Sequence, residues 1–288
     1  MARPEIDQIT GVETTAHEWD GIKELNNPLP RWWLWVIYAS IVWSIGYWLI
    51  YPAWPLVSDY TKGMIGYSQR LVVAGSLEEA KQAQSVYLEK IAAADPAAIK
   101  ADPELLRFSL AGGEAAFGDN CAPCHGRGAQ GAPGYPNLND DDWLWGGSLD
   151  DILLTLKVGI RSGHPDTRAN PMPAFGRDEI LEPAQISDVT EFVLSISESE
   201  ADTEAATRGK EVFKEQCAAC HGDKGKGNME LGAPNLTNRI WLYGGDRATI
   251  TQTIRNSRAG VMPAWEGRLS SETLKQLAVY VHSLGGGQ

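Results

Sequence analysis

Phe117-Gly-Asp-Asn-Cys-Ala-Pro-Cys-His-Gly126 and Phe213-Lys-Glu-Gln-Cys-Ala-Ala-Cys-His-Gly222 decide the reading of this chain. Each contains C-x-x-C-H, the signature of covalent c-type haem attachment, in which two thiols add across the haem vinyl groups and the next His lies beneath the iron. Cys121, Cys124, Cys217 and Cys220 are the four cysteines of the protein, so none is left over for a disulfide. His125 and His221 are the proximal ligands this spacing predicts. A thioredoxin-like couple would place the motif between a strand and a helix, and a zinc ribbon does not require the His after each pair. Here both motifs close helix-like segments, Glu114 to Asn120 and Arg208 to Gln216.

Similarity spreads outward from the two motifs in the same order. Pro136-Asn137-Leu138 matches Pro234-Asn235-Leu236, and Trp143-Leu-Trp-Gly-Gly147 matches Trp241-Leu-Tyr-Gly-Gly245. Met172-Pro-Ala-Phe175 then matches Met262-Pro-Ala-Trp265, with an insertion around His164 to Asn170 in the first copy. Each copy closes on an amphipathic helix, with Ile186, Val189, Val193 and Ile196 on one stripe and Leu274, Leu277, Val281 and Leu284 on the other. The pattern is one helical haem module used twice.

A thioether opposite His gives a six-coordinate iron of raised potential. Of the five methionines, Met172 and Met262 alone occupy equivalent places in the repeat. Taken copy by copy, Met172 serves the haem of His125 and Met262 that of His221. His164 is the rival to Met172, and Met229 follows His221 too closely to reach the opposite face. Trp143 and Trp241 are candidates to bond haem propionates through their indole N–H. Arg161 and Arg255 are candidates to pair with the same carboxylates, with surface solvation as the alternative. Gly126-Arg-Gly-Ala-Gln-Gly131 spells G-x-G-x-x-G, but no strand precedes it, so it reads as backbone passing close to porphyrin and not as a dinucleotide loop.

From Trp32 to Tyr51 there are 20 residues without a charge, a helix of about 30 Å. Tryptophans and tyrosines gather toward both ends, and prolines lie outside them, as at a membrane anchor. A cleaved signal peptide is disfavoured by the thirty or so polar residues in front and by the absence of a small-x-small site. Ser76, with Glu79 three residues on, predicts a capped helix to Ala94, and Asp95-Pro96 and Asp102-Pro103 predict short helical pieces beyond it. The fold expected is all-α, with a single N-terminal transmembrane helix followed by two tandem cytochrome c domains. Its divisions are a cytoplasmic tail 1–31, an anchor 32–54, an extracytoplasmic linker 55–107, a first cytochrome c domain 108–199 and a second 200–288. Glu198 to Thr207 is the expected link between the last two. A net charge of −12 argues against nucleic acid as a partner.

The strings His17-Glu-Trp-Asp-Gly-Ile22, Leu25-Asn-Asn-Pro-Leu-Pro-Arg-Trp-Trp33 and Tyr51-Pro-Ala-Trp-Pro55, joined to two haem c modules, resemble the CcoP (FixP) subunits of cbb3-type cytochrome c oxidases. The resemblance implies two covalently bound haem c groups, with Cys121, Cys124, His125, Cys217, Cys220 and His221 as attachment sites and Met172 and Met262 as sixth ligands. It implies a bacterial inner-membrane subunit, N-terminus cytoplasmic and haem domains periplasmic, in contact with membrane lipid. Such a subunit takes electrons from a donor cytochrome c and passes them, through a monohaem cytochrome c subunit, to a haem-copper catalytic subunit that reduces oxygen, with no active site of its own. A membrane-tethered dihaem shuttle of another respiratory complex would share the haem features. A two-haem peroxidase would need one iron with an open position, against which the two equivalent methionine loops argue.

Overall fold

Aspartate and serine side chains set where the helices start. In the computed structural model, which describes residues 5–286, Asp102 and Asp202 each accept a backbone N–H at the head of a helix that ends in a cysteine pair, from Leu105 and Ala205. Those helices are therefore longer than the sequence segments expected, Pro103–Asn120 and Thr203–Gln216. Met1 to Pro4 of the expected tail and the last two residues of the expected second domain lie outside the described residues.

The chain divides into two compact units, Met1–Gln82 and Ala83–Gln288. In the first, the polar tail carries a feature the sequence reading did not assign, a hairpin of β1 (Thr14–Trp19) and β2 (Ile22–Leu25). Asp20 and Gly21 form its turn with φ of 49° and 85°, the left-handed pair that a two-residue hairpin requires. The Asp-Gly dipeptide was the signal for it. Helix α1 (Arg31–Ile50) follows, with mean hydropathy 1.5 and no buried residue. Its two serines return their hydroxyls to their own helix, Ser40 to the Val36 carbonyl at 2.9 Å and Ser44 to the Ser40 carbonyl at 2.8 Å. Neither serine therefore leaves its hydroxyl without an acceptor on this apolar helix. Helix ends fall at Ile50, and Tyr47 stacks on Tyr51 while Trp48 meets Trp54 edge-on, an aromatic girdle beyond the last turn.

Helix α2 runs Gln69–Ala93, so Ser76 lies inside it and caps nothing. Seven residues before Ser76 already have helical backbone, because Gln69 to Val73 are compatible with a helix and neither Gly75 nor Ser76 breaks it. The linker is also more than a spacer. Its Ile91 and Ile99, with Leu105 of α4 (Pro103–Asn120), bury against Val279 of the last helix, α11 (Ser271–Ser283). The Lys275 ammonium donates to the carbonyls of Ile91, Ala92 and Ala94, the free end of α2. Between them lies α3 (Pro96–Ala101), capped by Asp95.

The rest of the second unit is built from α5 (Ala122–His125), α6 (Leu149–Val158), α7 (Pro183–Ile196), α8 (Thr203–Gln216), α9 (Ala218–His221) and α10 (Arg247–Asn256), with α11 at the end. Its helices do not group in chain order. Helix α4 crosses α11, not α7, and α8 crosses α7. Likewise α6 lies on α11 and α10 on α7. One core holds Phe117, Ile152, Leu156, Leu274, Leu277 and Val281, and the other Ile186, Val189, Val193, Phe213, Ile250 and Ile254. Both expected stripes are buried but for half-buried Ile196 and Leu284 at their ends, and each closes over the helix of the other copy's cysteine motif.

Glu191 explains much of this regrouping. It is buried on α7 and accepts from the backbone N–H of Asp202 at 2.8 Å and from Arg247 Nε at 2.5 Å, so α7 is tied to the heads of both α8 and α10. The link 197–202 is thus a tight corner between packed helices. The Arg247 guanidinium holds the Glu191 carboxyl below its ordinary value of 4.5. Stability from this pair is therefore full above that value and lost as pH falls through the lowered one. Arg247→Ala is expected to destabilise the fold, since the buried Glu191 carboxylate then keeps only the Asp202 N–H as a partner. Unfolding curves should show that deficit at neutral pH and show it shrinking on acidification; an equal deficit at all pH would remove the ion pair as its cause.

Candidate functional site

The two cysteine motifs have the same backbone. Cys121 and Cys217 end α4 and α8, their N–H groups bonded to the Phe117 and Phe213 carbonyls at 2.8 Å. One helical turn then carries the chain to His125 and His221, and Gly126 and Gly222 stop it with φ of 81° and 75°. This places both thiols and the imidazole on one short turn, as covalent attachment beneath an iron requires.

Each imidazole is oriented from behind. Nδ1 of His125 lies 3.0 Å from the Pro136 carbonyl and Nδ1 of His221 lies 3.0 Å from the Pro234 carbonyl. A carbonyl only accepts, so Nδ1 carries the proton and Nε2 keeps its lone pair for a metal. Burial pushes both imidazole pKa values down, which favours the same neutral form. The sequence reading matched Pro136-Asn-Leu to Pro234-Asn-Leu without giving either a task. Their recurrence behind each His was the available signal.

The thiols do not suit redox exchange. Burial pushes Cys121 and Cys217 up to about 11, the reverse of a reactive thiolate. Cys121 sits in the first core and Cys217 against the second, so the two pairs do not converge as the halves of a zinc ribbon would. The glycine-rich stretch 126–131 is the turn behind His125, and Gly131 donates to the His125 carbonyl at 2.8 Å.

The methionine loops cross between the repeats. A cavity of ≈ 220 Å³ is lined by Cys217, Cys220 and His221 together with Met172. Met262 packs into the core that holds Cys121. The backbone fixes the exchange: Phe175 N–H donates to the Ile254 carbonyl at 3.1 Å, and at the equivalent place Trp265 N–H donates to the Leu156 carbonyl at 3.0 Å. Met262 also exchanges both its backbone hydrogen bonds with Ile160, each 3.0 Å long, while Ser257 Oγ donates to the Met172 carbonyl at 2.7 Å. The copy-by-copy pairing of Met172 with His125 and Met262 with His221 is therefore not the one the structure assembles. The cause is the helix exchange: each Met-Pro loop leads into a closing helix, α7 or α11, that packs on the other motif's helix.

The remaining candidates separate. His164 is absent from the cavity lining, its Nε2 3.2 Å from Glu266 and its Nδ1 accepting from the Asp166 N–H. Trp143 gives its indole N–H to the Gly286 carbonyl, so that donor is engaged by the C-terminal segment. Trp241 lines the cavity, and Arg161 does too, whereas Arg255 is exposed and absent from its lining. Thiols, an imidazole with a free Nε2, an apolar chamber and a thioether in its lining together fit a haem c group.

Comparison with known proteins agrees along the whole chain. Residues 11–58 match the N-terminal domain of cytochrome oxidase-cbb3, FixP; residues 110–197 match cytochrome c; and residues 204–281 match cytochrome c oxidase, cbb3-type, subunit III. The chain is 56% identical to the cbb3-type cytochrome c oxidase subunit FixP of Bradyrhizobium sp., over 99% of this chain and 98% of that protein. The chain belongs to the FixP/CcoP family of cbb3-type oxidase subunits. It is 53% identical to the subunit CcoP of Azospirillum brasilense over the full length of both, and 50% identical to CcoP of Cereibacter sphaeroides over 96% of this chain and 95% of that one. As a FixP/CcoP chain with cytochrome c domains it binds haem c covalently, and α1, inside the FixP-type N-terminal match, fits a membrane anchor. The cytochrome c matches follow the sequence repeats, even though the structure regroups their helices in space.

Proposed function

We propose that the chain is the electron-relay subunit of a cbb3-type oxidase, carrying two haem c groups with exchanged thioether ligands. Cys121, Cys124 and His125 hold the first haem, with Met262 opposite. Cys217, Cys220 and His221 hold the second, with Met172 opposite. The observation that carries this reading is the cavity shared by His221 and Met172, together with the matching hydrogen bonds that draw Met262 to the first motif.

Haem c supplies a one-electron iron couple, and His/Met coordination places it in the range of electron carriers. The protein's part is to keep both axial positions filled. The Pro136 and Pro234 carbonyls hold the imidazoles in the ligating tautomer, and the Phe175 and Trp265 hydrogen bonds hold the methionine loops in place. With each closing helix lent to the other motif, the two haems belong to one folded body, a fixed pair suited to passing electrons in series. The reading continues to a donor cytochrome c on one side and a monohaem cytochrome c subunit and haem-copper catalytic subunit on the other, where oxygen is reduced. Anchor α1 then lies in the bacterial inner membrane with the N-terminus cytoplasmic and the haem modules periplasmic, because haem c is attached outside the cytoplasm.

Extraction in a mild detergent is expected to yield this chain with copper, additional haem and cyanide-sensitive oxygen uptake, and reduced spectra of the purified chain should show two low-spin haems. Recovery as a lone chain without copper would favour a tethered shuttle. A high-spin iron would favour peroxidase chemistry.

A further inference from the structure

The chamber between His221 and Met172 is cationic in a protein that is not. The chain has 37 acidic residues against 25 Lys and Arg. Yet Arg161 and Arg258 both line this chamber, and among the described residues lining it no Asp or Glu appears. Two half-buried guanidiniums beside an apolar chamber, with no carboxylate in its lining, offer their N–H groups to an anion seated there.

Both are held ready for one. Arg161 keeps its backbone at φ 50°, a left-handed conformation that a non-glycine residue adopts at a cost and that often marks a functional position. Its Nε donates to the Gly260 carbonyl at 2.6 Å, which fixes the fork and leaves the two terminal nitrogens as donors. Arg258 lies over the Tyr243 ring, 5.2 Å from its centroid, and Tyr243 also lines the chamber. A ring fixes the plane of a guanidinium without using its N–H groups. Arg161 comes from the first repeat and Arg258 from the second, so the pair exists only because the repeats exchange their methionine loops.

A haem presents two propionate carboxylates at one edge. We propose that Arg161 and Arg258 are the propionate clamp of the haem held by Cys217, Cys220 and His221. This rests on the reading that haem c fills the chamber opposite Met172. The clamp is a positioning and tuning device. Cations beside the propionates favour the reduced iron, which carries one positive charge fewer, and hold the carboxylates ionised.

The test is a redox titration of the full-length, haem-loaded chain in detergent, comparing wild type with Arg161→Gln, Arg258→Gln and the double variant. Met172→His identifies the transition that belongs to this haem. The clamp predicts that the double variant moves that transition to lower potential by about tenfold in the reduction equilibrium, about 59 mV for one electron. The other transition stays in place, and the His/Met spectrum is kept. It also predicts that the shifted midpoint gains a pH dependence on the acid side of neutrality as a released propionate titrates, and that Arg258→Lys restores part of the shift. Each single variant should give part of the shift, so the test survives a double variant that fails to load its haem. Unchanged midpoints in the arginine variants, with Met172→His still moving its transition, would overturn the clamp and leave the ligand assignment standing. Movement of the other transition would overturn it as well.

Discussion

Gly209→Leu is expected to abolish the low-spin haem at the second motif while leaving the first attached. Gly209 is buried on α8 where that helix crosses α7, and a Cβ there would fall inside the Asp188 carbonyl group. Backbone cannot give way as a flexible side chain does, so any side chain must push the two helices apart. Overpacking of this kind costs about 1–3 kcal/mol, and more where backbone must move. It acts on the helix that delivers Phe213 and Cys217. Phe213, 1% exposed, meets Phe192 of α7 at 5.0 Å between ring centroids, a contact that requires the close crossing. The first motif repeats the arrangement with α11: a Cβ on Gly113 would stand 2.5 Å from the Gln276 carbonyl oxygen, and Phe117 meets Tyr280 at 5.5 Å. Gly118, also on α4, has nothing within 4 Å of an added Cβ, and Gly118→Ala should be neutral or mildly stabilising. Haem content per chain and the reduced spectrum read both variants. A Gly209→Leu protein with both haems and normal spectra would mean that the crossing does not support the second motif.

Removing the chain after Gly260 is expected to damage the haem that is farther away in sequence. The deleted segment carries Met262 and α11, whose Leu274, Leu277 and Val281 form the core around Phe117 and Cys121. The second motif keeps α7, α10, Met172 and the Ser257 hydroxyl that holds the Met172 carbonyl. Loss of buried residues such as Leu277, which is 0% exposed, costs about 2–5 kcal/mol each. The first haem should therefore lose its thioether and its cover and become high-spin or fail to attach, while the second stays low-spin. A truncated protein that loses the second haem and keeps the first would restore the chain-order arrangement.

Much of this molecule can be read from its residues, because the determining signals are local. C-x-x-C-H is contiguous, the anchor is one uncharged run, and the stripes of α7 and α11 repeat with helical period. The Asp20-Gly21 turn is equally local, a two-residue signal within an otherwise polar tail. Ser76 misled for the opposite reason: a capping pattern is a preference, and helix-compatible residues on both sides of it carried α2 through. Pairing was not legible. The stripe of Ile186, Val189 and Val193 shows that α7 must be covered, but α4 and α8 end in near-identical motifs, and nothing in the stripe distinguishes one from the other. What distinguishes them is a buried glutamate, Glu191, tying α7 to Asp202 and Arg247, while the glycine at each crossing, Gly209 or Gly113, admits the close approach but marks both helices alike. A single carboxylate among 37 acidic residues, or two glycines among 30, gives no sign of such a role before the fold is seen.

The exchange of thioether ligands is the centre of the account, and one measurement addresses it directly. With Cys217→Ala and Cys220→Ala in place, the full-length chain retains only the haem attached at Cys121 and Cys124. Redox titration and reduced spectra of this single-haem protein are then compared after Met262→His and after Met172→His. The account predicts that Met262→His replaces the His/Met spectrum by a bis-histidine one and lowers the midpoint potential, while Met172→His changes neither. A spectrum and potential that respond to Met172→His and ignore Met262→His would contradict it.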